Sequence, residues 1–414
     1  MDRTLDPALD LVPAPVLDRR AFLAAGGGLT LAFAWPAAAQ APAGAAAPVP
    51  GRINLHVTIA ADGTVTLVNP ASEMGQGILT SNAMLLAEEL DADWSKVRVV
   101  QAPNDTAAYG NPAFGGAMTW GGSRSTIGLY QPLRTAGAQA RRVLMLAAAR
   151  QWSVPLAELT TEPHVVVHRS SGRRAAYGDL ARVATVPSEL PKIDPAELKP
   201  PARWRILGRS VPRLDVPDKA HGRARYGIDV DLPGLLVALV ERPPHRGATV
   251  LSVDDAAARG MPGMRQVVRV GGGVAVVADG YWAARQAREK LRVEWTDGPG
   301  RSYSSRAALE AFTQAAQRGG EGAVVLETRG DAAGALAQAR RRIAGTWTTD
   351  HVYHGPLEPM NATAWVREGL AEVWAPTQTQ TAGTAMIAGA KVLPGYELAG
   401  WQGLFVPAAT PPDV

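Results

Sequence analysis

Three short segments hold the residue types that could do chemistry. The first is Glu73-Met74-Gly75-Gln76-Gly77, set between an expected strand and an expected helix. Its glycines let backbone approach a ligand closely. The helix N-terminus that follows offers unpaired N–H groups to an anion. Gln76 adds a neutral amide that donates and accepts at once, which suits a polar, anionic ring ligand. An ordinary strand–helix turn has the same pattern, so both readings stand. The second segment is Thr119-Trp120-Gly121-Gly122-Ser123-Arg124-Ser125. Small residues and hydroxyls on a glycine-rich loop form an oxyanion or phosphate cradle, and equally a plain surface loop. The third runs from His351 through His354 and Glu358 to Asn361. Gly355, Pro356 and Pro359 oppose a helix there, so the histidine spacing loses its metal-binding geometry. That segment reads as shape-determined packing. His164 and His168 fall within an expected strand, where a spacing of four does not set them side by side as a helix would. No catalytic and no metal-ligating residue is assigned.

Composition narrows the chemistry further. The chain has 414 residues and no cysteine. A disulfide framework, a cysteine-held iron–sulfur cluster and a cysteine nucleophile are therefore excluded in this chain. Any redox centre is a cofactor held without its thiols, or belongs to a partner. Lys and Arg total 42 against 38 Asp and Glu, a net charge of +4. So small an excess does not point to nucleic acid. No Gly-Lys-Ser/Thr phosphate loop, no G-x-G-x-x-G after a strand and no G-x-S-x-G is present.

The elements that must position these residues follow from periodicity. Residues 53–59 and 64–69 alternate about Asp62-Gly63 and predict a β-hairpin. A helix is expected over 78–90, with Glu88-Glu89 on its outer face, then a strand over 97–101. A second helix is expected over 132–152 and a strand over 165–168. Strands are further expected at 224–229, 235–241, 249–254, 265–270 and 274–278, with a helix over 281–291 and a closing strand to Trp295. Helices at 305–317 and 331–341 follow, then strands near 343–348, 362–366 and 371–374. No internal repeat is found.

The N-terminus reads as an address. Arg19-Arg20 precede Phe22-Leu23 and a weakly apolar stretch to Trp35, shorter than the roughly 20 residues that span a bilayer. Ala37 to Ala39 gives an A-x-A-like cleavage site. The pattern is a twin-arginine export signal, which implies a periplasmic protein exported already folded. No later segment is long and apolar enough for a membrane helix.

Taken in order, these segments resemble a known family. The matches are Glu73 to Gly77, Ala87-Glu88-Glu89-Leu90-Asp91-Ala92-Asp93-Trp94, Gly121-Gly122-Ser123 with Ser125, and Leu133 to Ala138. Further along come Arg213-Leu214-Asp215, Leu232-Pro233-Gly234, Leu357 to Ala364 and Val373-Trp374-Ala375-Pro376-Thr377-Gln378. The chain resembles the molybdopterin-binding large subunit of xanthine dehydrogenase/aldehyde oxidase-type molybdenum hydroxylases, most of all the isoquinoline 1-oxidoreductase beta-subunit branch. The resemblance implies an α+β chain in which a molybdopterin-binding α/β segment is followed by an a/b hammerhead-like domain and an incomplete C-terminal molybdopterin-binding domain. It implies that Met74, Gly75, Gln76, Gly77, Gly121, Gly122, Ser123 and Ser125 hold molybdopterin, in its bare or cytosine dinucleotide form. It implies that Gln378 lies beside the molybdenum's oxo ligand. It also implies a small [2Fe-2S] subunit, a cytochrome acceptor and an N-heterocycle or aldehyde substrate.

The organisation expected on this basis is a signal peptide at 1–41, a linker at 42–51, a molybdopterin-binding segment at 52–184 and a linker at 185–212. The hammerhead-like domain then covers 213–297, a helical connector 298–342, the start of the second molybdopterin-binding domain 343–392 and a divergent tail 393–414. The family's Gly-Gly-Gly-Phe-Gly-Arg-like loop and its Gly-x-Gly-Glu-Pro-like segment, with the glutamate general base, have no counterpart in this sequence. The chain thus reads as the N-terminal part of a large subunit, inactive alone. The alternative is a non-catalytic exported binding protein or the product of a disrupted gene.

Overall fold

The computed structural model describes residues 29–32, 55–318, 322, 324–352, 355, 357–367 and 370–389. Arg19-Arg20, the cleavage site at 37–39, the 42–51 linker, His354 and the 393–414 tail lie outside the described residues. The chain divides into two units, Met1–Val230 with Gly355–Val414, and Asp231–His354. Segment 213–230 therefore groups with the first unit rather than with the expected hammerhead-like one.

The first unit is built on a four-stranded sheet, ordered β1 (Leu29–Ala32), β2 (Leu55–Ile59), β3 (Val65–Asn69), β4 (Val97–Gln101). β2 and β3 form the expected antiparallel hairpin, with Gly63 at φ 87° in its turn. β3 and β4 are parallel. Helix α1 (Ile78–Leu90) makes the crossover between them. β1 pairs antiparallel with β2 and falls in the stretch that the sequence reads as an export leader. Helix α2 (Arg124–Trp152) packs on α1. A Cβ at Gly137 would stand 2.4 Å from the Leu86 carbonyl oxygen, so only glycine permits this close crossing. A meander of β5 (Leu159–Glu162), β6 (Val165–His168) and β7 (Arg173–Ala176) leads into α3 (Tyr177–Val183). The core between these layers is Ile59, Leu67, Leu86, Leu90, Leu133, Leu144 and Leu180, with Trp120 and Tyr177.

α2 begins eight residues earlier than the periodicity predicts, with Pro132 inside it. Proline is most at home in a first helical turn, which is why the sequence reads as a start there. Here Pro132 is buried within the helix.

The expected outer face of α1 is also corrected. Glu88 and Glu89 are fully buried. Glu88 Oε2 accepts the backbone N–H groups of Arg205 (2.9 Å), Ile206 (2.6 Å) and Leu207 (3.1 Å). Its Oε1 meets Lys199 Nζ at 3.2 Å. Glu89 takes Arg134 Nε and Nη2 at 3.0 and 2.6 Å, and the Lys199 N–H at 3.1 Å. Asp91 Oδ1 takes Lys199 Nζ at 3.0 Å and Arg205 Nη2 at 2.5 Å. Segment 185–212, read as a linker, is thus strapped to α1 over residues 199–207. Beyond it Arg213 reaches Asp215 at 2.6 Å and Glu73 at 3.1 Å, and Lys219 joins Asp215 at 2.6 Å.

The second unit holds a three-stranded antiparallel sheet, ordered β10 (Met264–Val270), β11 (Gly273–Ala278), β8 (Val237–Glu241). A separate pair joins β9 (Val250–Asp254) to β12 (Arg292–Trp295). Helix α4 (Tyr281–Lys290) packs on this sheet through the buried Ala284 and Ala287. α5 (Ser305–Gln317) and α6 (Ala332–Gln338) follow as expected. No strand forms at 343–348, where every residue is exposed. The expected strand at 224–229 is instead a single helical turn, Gly227–Asp229, in the first unit. Tyr226 and Asp229 close that turn on each other, which removes the extended backbone a strand needs. The chain re-enters the first unit with the hairpin β13 (Thr363–Arg367) and β14 (Leu370–Trp374), then α7 (Gln380–Gly389). Among the described residues no helix is long and apolar enough to cross a membrane.

Two predictions follow from the buried charges. Glu88→Ala leaves three backbone donors without their acceptor and takes from Lys199 one of its two carboxylate partners, and should lower stability by about 3–5 kcal/mol. The exposed Glu310→Ala should stay within about 0.5 kcal/mol; urea unfolding followed by circular dichroism checks both. Burial raises the Asp215 pKa, but hydrogen bonds from Arg213 and Lys219 outweigh it and bring it to about 2, against an ordinary 3.8. Its contribution is therefore complete above pH 3.8 and lost as pH falls toward 2. Asp215→Asn should flatten the stability curve in that window, and an unchanged slope would refute the assignment.

Candidate functional site

The loop after β3 is held by its own acidic residue. Glu73 is buried, and its Oε1 accepts the N–H groups of Gly75 at 2.7 Å and Gly77 at 3.1 Å. Its Oε2 accepts the Leu79 N–H at 3.0 Å. Gly75 and Gly77 sit at φ 100° and 89°, conformations open to glycine at no steric cost. The N-terminus of α1 is thereby closed by a carboxylate from its own chain. This corrects the expectation that it presents free N–H groups to an outside anion. Gln76 also turns back on the loop: its Oε1 accepts the Met74 N–H at 2.6 Å and its Nε2 donates to the Ser72 carbonyl at 2.9 Å. Arg213 Nη1 donates to the Gly75 carbonyl at 2.8 Å. The loop is therefore rigid underneath, while Met74, Gly75 and Gln76 face outward.

The second loop has the opposite character. Gly122 and Ser123 stand at φ 55° and 61°, and no side chain caps α2. The helix dipole and first-turn N–H groups of α2 thus meet no carboxylate of this kind. Gly122 and Ser123 are exposed; Gly121 and Ser125 are half-buried. Asn111, fully buried, ties the loop from below through hydrogen bonds to the carbonyls of Thr119 (3.0 Å) and Arg124 (3.4 Å).

The Gln378 stretch, which the family resemblance implied, arrives from far along the chain. Thr379 bridges Thr119, and the Trp120 N–H donates to the Gln378 carbonyl at 2.8 Å. The Gln378 side chain is exposed, its Oε1 3.6 Å from where a Cβ on Gly121 would stand. Gln380, which sequence reasoning missed, is the buried link. Its Oε1 accepts from Trp120 Nε1 at 2.9 Å and its Nε2 donates to Ser72 Oγ at 3.1 Å. Ser72 Oγ in turn donates to the Thr377 carbonyl at 2.8 Å. The roots of the first two segments and of the Thr377–Gln380 stretch are thus joined, across as many as 308 residues of sequence, while the 351–361 segment has no part in this link. The signal available in Thr377-Gln378-Thr379-Gln380 was a second amide two residues on.

The remaining candidates serve structure. Glu358 accepts the Gly227 N–H at 2.8 Å and the Asn361 side-chain amide at 3.2 Å. His164 and His168 are buried, and His168 lies 2.8 Å from Glu158. Burial holds the His164 pKa below its ordinary value, aided by the charge of Lys96. His351 is exposed, with the Tyr303 ring 6.4 Å away. Among the described residues no cluster of His, Asp and Glu could hold a metal ion directly.

The arrangement suits an anionic ring ligand. A Cβ at Gly75, Gly77 or Gly122 would meet nothing within 4 Å, so the backbone there lies open to an approaching group. The uncapped α2 terminus attracts negative charge, and the exposed amides of Gln76 and Gln378 add no charge of their own. A pterin that carries a phosphate and holds molybdenum through its own sulfurs fits this donor set, because it asks the chain for no metal ligand.

Comparison with known proteins gives a family match and several similar chains. Residues 21–221 match the molybdopterin cofactor-binding domain family. The isoquinoline 1-oxidoreductase beta subunit of Brevundimonas diminuta is 38% identical over 92% of this chain and 54% of its own length. The membrane-bound aldehyde dehydrogenase [pyrroloquinoline-quinone] of Gluconacetobacter polyoxogenes is 32% identical over 88% of this chain and 48% of its own. The crystal structure of quinoline 2-oxidoreductase from Pseudomonas putida 86 covers 44% of this chain and 28% of its own, with 22% identity and a TM-score of 0.33. The chain spans about half the length of the curated relatives it matches. Residues 21–221 thus match the molybdopterin cofactor-binding domain family, and over most of its length the chain is similar to the isoquinoline 1-oxidoreductase beta subunit.

Proposed function

We propose that the chain is the N-terminal part of a molybdenum hydroxylase large subunit, exported by the twin-arginine route to the periplasm. The observation that carries this reading is the Gln380 link, which ties Ser72 and Trp120 to the 377–380 segment. It explains why residues so distant in sequence serve one site. Gly121, Gly122, Ser123 and Ser125 hold the anionic end of molybdopterin at the α2 terminus. Met74, Gly75, Gln76 and Gly77 present rigid, exposed backbone to its ring. Gln378 orients a neutral amide toward the metal, where it donates or accepts without adding charge.

When bound, the cofactor supplies two-electron oxidation of an N-heteroaromatic ring carbon or an aldehyde, with oxygen drawn from water. The electrons pass to a small [2Fe-2S] subunit and on to a cytochrome. This chain supplies the binding and orienting groups. The rival is an exported binding protein with no cofactor.

The two separate on cofactor content. Protein purified from a host that makes molybdopterin should carry molybdenum by mass spectrometry and release a fluorescent oxidised pterin on denaturation. Gly122→Val forces a branched residue into a left-handed conformation and should cut that content at least tenfold, with the circular dichroism spectrum unchanged. Wild-type protein free of both molybdenum and pterin would overturn the reading. A bound quinone would favour the cofactor named in the second relative.

Export has its own test. Replacing Arg19-Arg20 with two lysines should leave the protein unprocessed in the cytoplasm. N-terminal sequencing of the exported form should start after Ala39, so that β1 is absent from the mature sheet. A mature chain that retains Leu29–Ala32 would contradict the leader reading.

A further inference from the structure

One cavity in the first unit faces more positive charge than the chain neutralises. Its volume is about 220 Å³, and it lies between α2, β5 and the 193–203 segment. Ala138, Arg141, Arg142 and Met145 line it at i, i+3, i+4 and i+7 of α2, so one stripe of that helix forms a wall.

The two carboxylates in the lining are already engaged. Asp91 Oδ1 takes Lys199 at 3.0 Å and Arg205 at 2.5 Å, and its Oδ2 takes the Thr161 hydroxyl at 2.7 Å. Glu197 takes the Arg142 guanidinium on one oxygen and the Asp194 N–H at 2.9 Å on the other. Arg141 and Arg203 line the same cavity, and neither guanidinium makes a hydrogen bond or an ion pair among the described residues, the Arg141 charge acting on Glu197 only at longer range. The lining thus sets four basic residues, Arg141, Arg142, Lys199 and Arg203, against two acidic ones, Asp91 and Glu197. Beside them, Met145, Leu159 and Ile193 give an apolar wall.

We infer that this cavity binds a small organic dianion, a phosphate monoester or a dicarboxylate, held by Arg141 and Arg203. Two planar forks match two oxyanion faces, or two edges of one phosphate. The dianion cancels the surplus of two charges, and its short carbon stem rests on Met145 and Leu159. Bare inorganic anions leave that apolar wall unused. Nothing in this inference depends on the bound pterin.

Calorimetric titration of the full chain tests it, with sn-glycerol 3-phosphate and succinate as probes and sodium chloride at matched ionic strength as reference. At least one probe should bind saturably, and which one does separates the phosphate source from the dicarboxylate source. Arg141→Ala with Arg203→Ala should weaken that binding by about tenfold per arginine. The exposed Arg203→Ala alone should show its share of the loss without risk to folding. Arg150→Ala, at the exposed end of the same helix, should bind as wild type. No heat beyond chloride from either probe, or equal affinity in the double variant, would overturn the inference.

Discussion

Glu88 and Glu89 end helix α1 as two charges removed from water, and burying them demands compensation. An unpaired buried carboxylate costs several kcal/mol, so the chain has to bring donors to it. It does so with backbone. Three successive N–H groups from residues 205–207 converge on one oxygen of Glu88, and Lys199 and Arg134 take the rest. This pins a stretch that would otherwise cross the surface freely. It also sets where the chain emerges, at Arg213. Arg213 then completes the Glu73 loop by reaching both Glu73 and the Gly75 carbonyl. The buried pair thus governs the geometry of a loop at the other end of the helix.

The site shows a division between closed and open helix ends. Glu73 fills the α1 terminus, so that helix has no vacancy for an anion. The α2 terminus, with no capping side chain and two residues in left-handed backbone, keeps its vacancy. A helix of 29 residues aims its dipole there. The same sequence feature, a glycine-rich loop before a helix, therefore does two jobs. One loop has its helix end closed by Glu73, and the other leaves its helix end without a capping side chain. Gln380 makes the two cooperate by tying both to a strand–helix junction hundreds of residues away.

Much of this was legible in the residues. The hairpin about Asp62-Gly63, the crossover helix and the strands of the second unit follow from local alternation and periodicity. The 73–77 and 119–125 loops were identifiable as residue types, whereas Gln378 was reached only through the family resemblance. What escaped were features set by distant partners. Glu88-Glu89 look like a solvated face because their donors lie far downstream, Arg134 by 45 residues and the 199–207 segment by more than 100. Residues 343–348 alternate as a strand, yet lie exposed without strand pairing. The start of α2 was hidden by Pro132, and Gln380 by Gln378 two positions before it.

The central claim is that the 121–127 loop and α2 terminus, with Gln378 beside them, receive an anionic cofactor. Amide hydrogen exchange on the chain with and without molybdopterin measures this most directly. The account predicts slowed exchange at Gly121 to Ile127 and near Gln378 on loading, with little change at Gly75 to Leu79, where Glu73 already holds the amides. Unchanged exchange at Gly121 to Ile127 in pterin-loaded protein would contradict it.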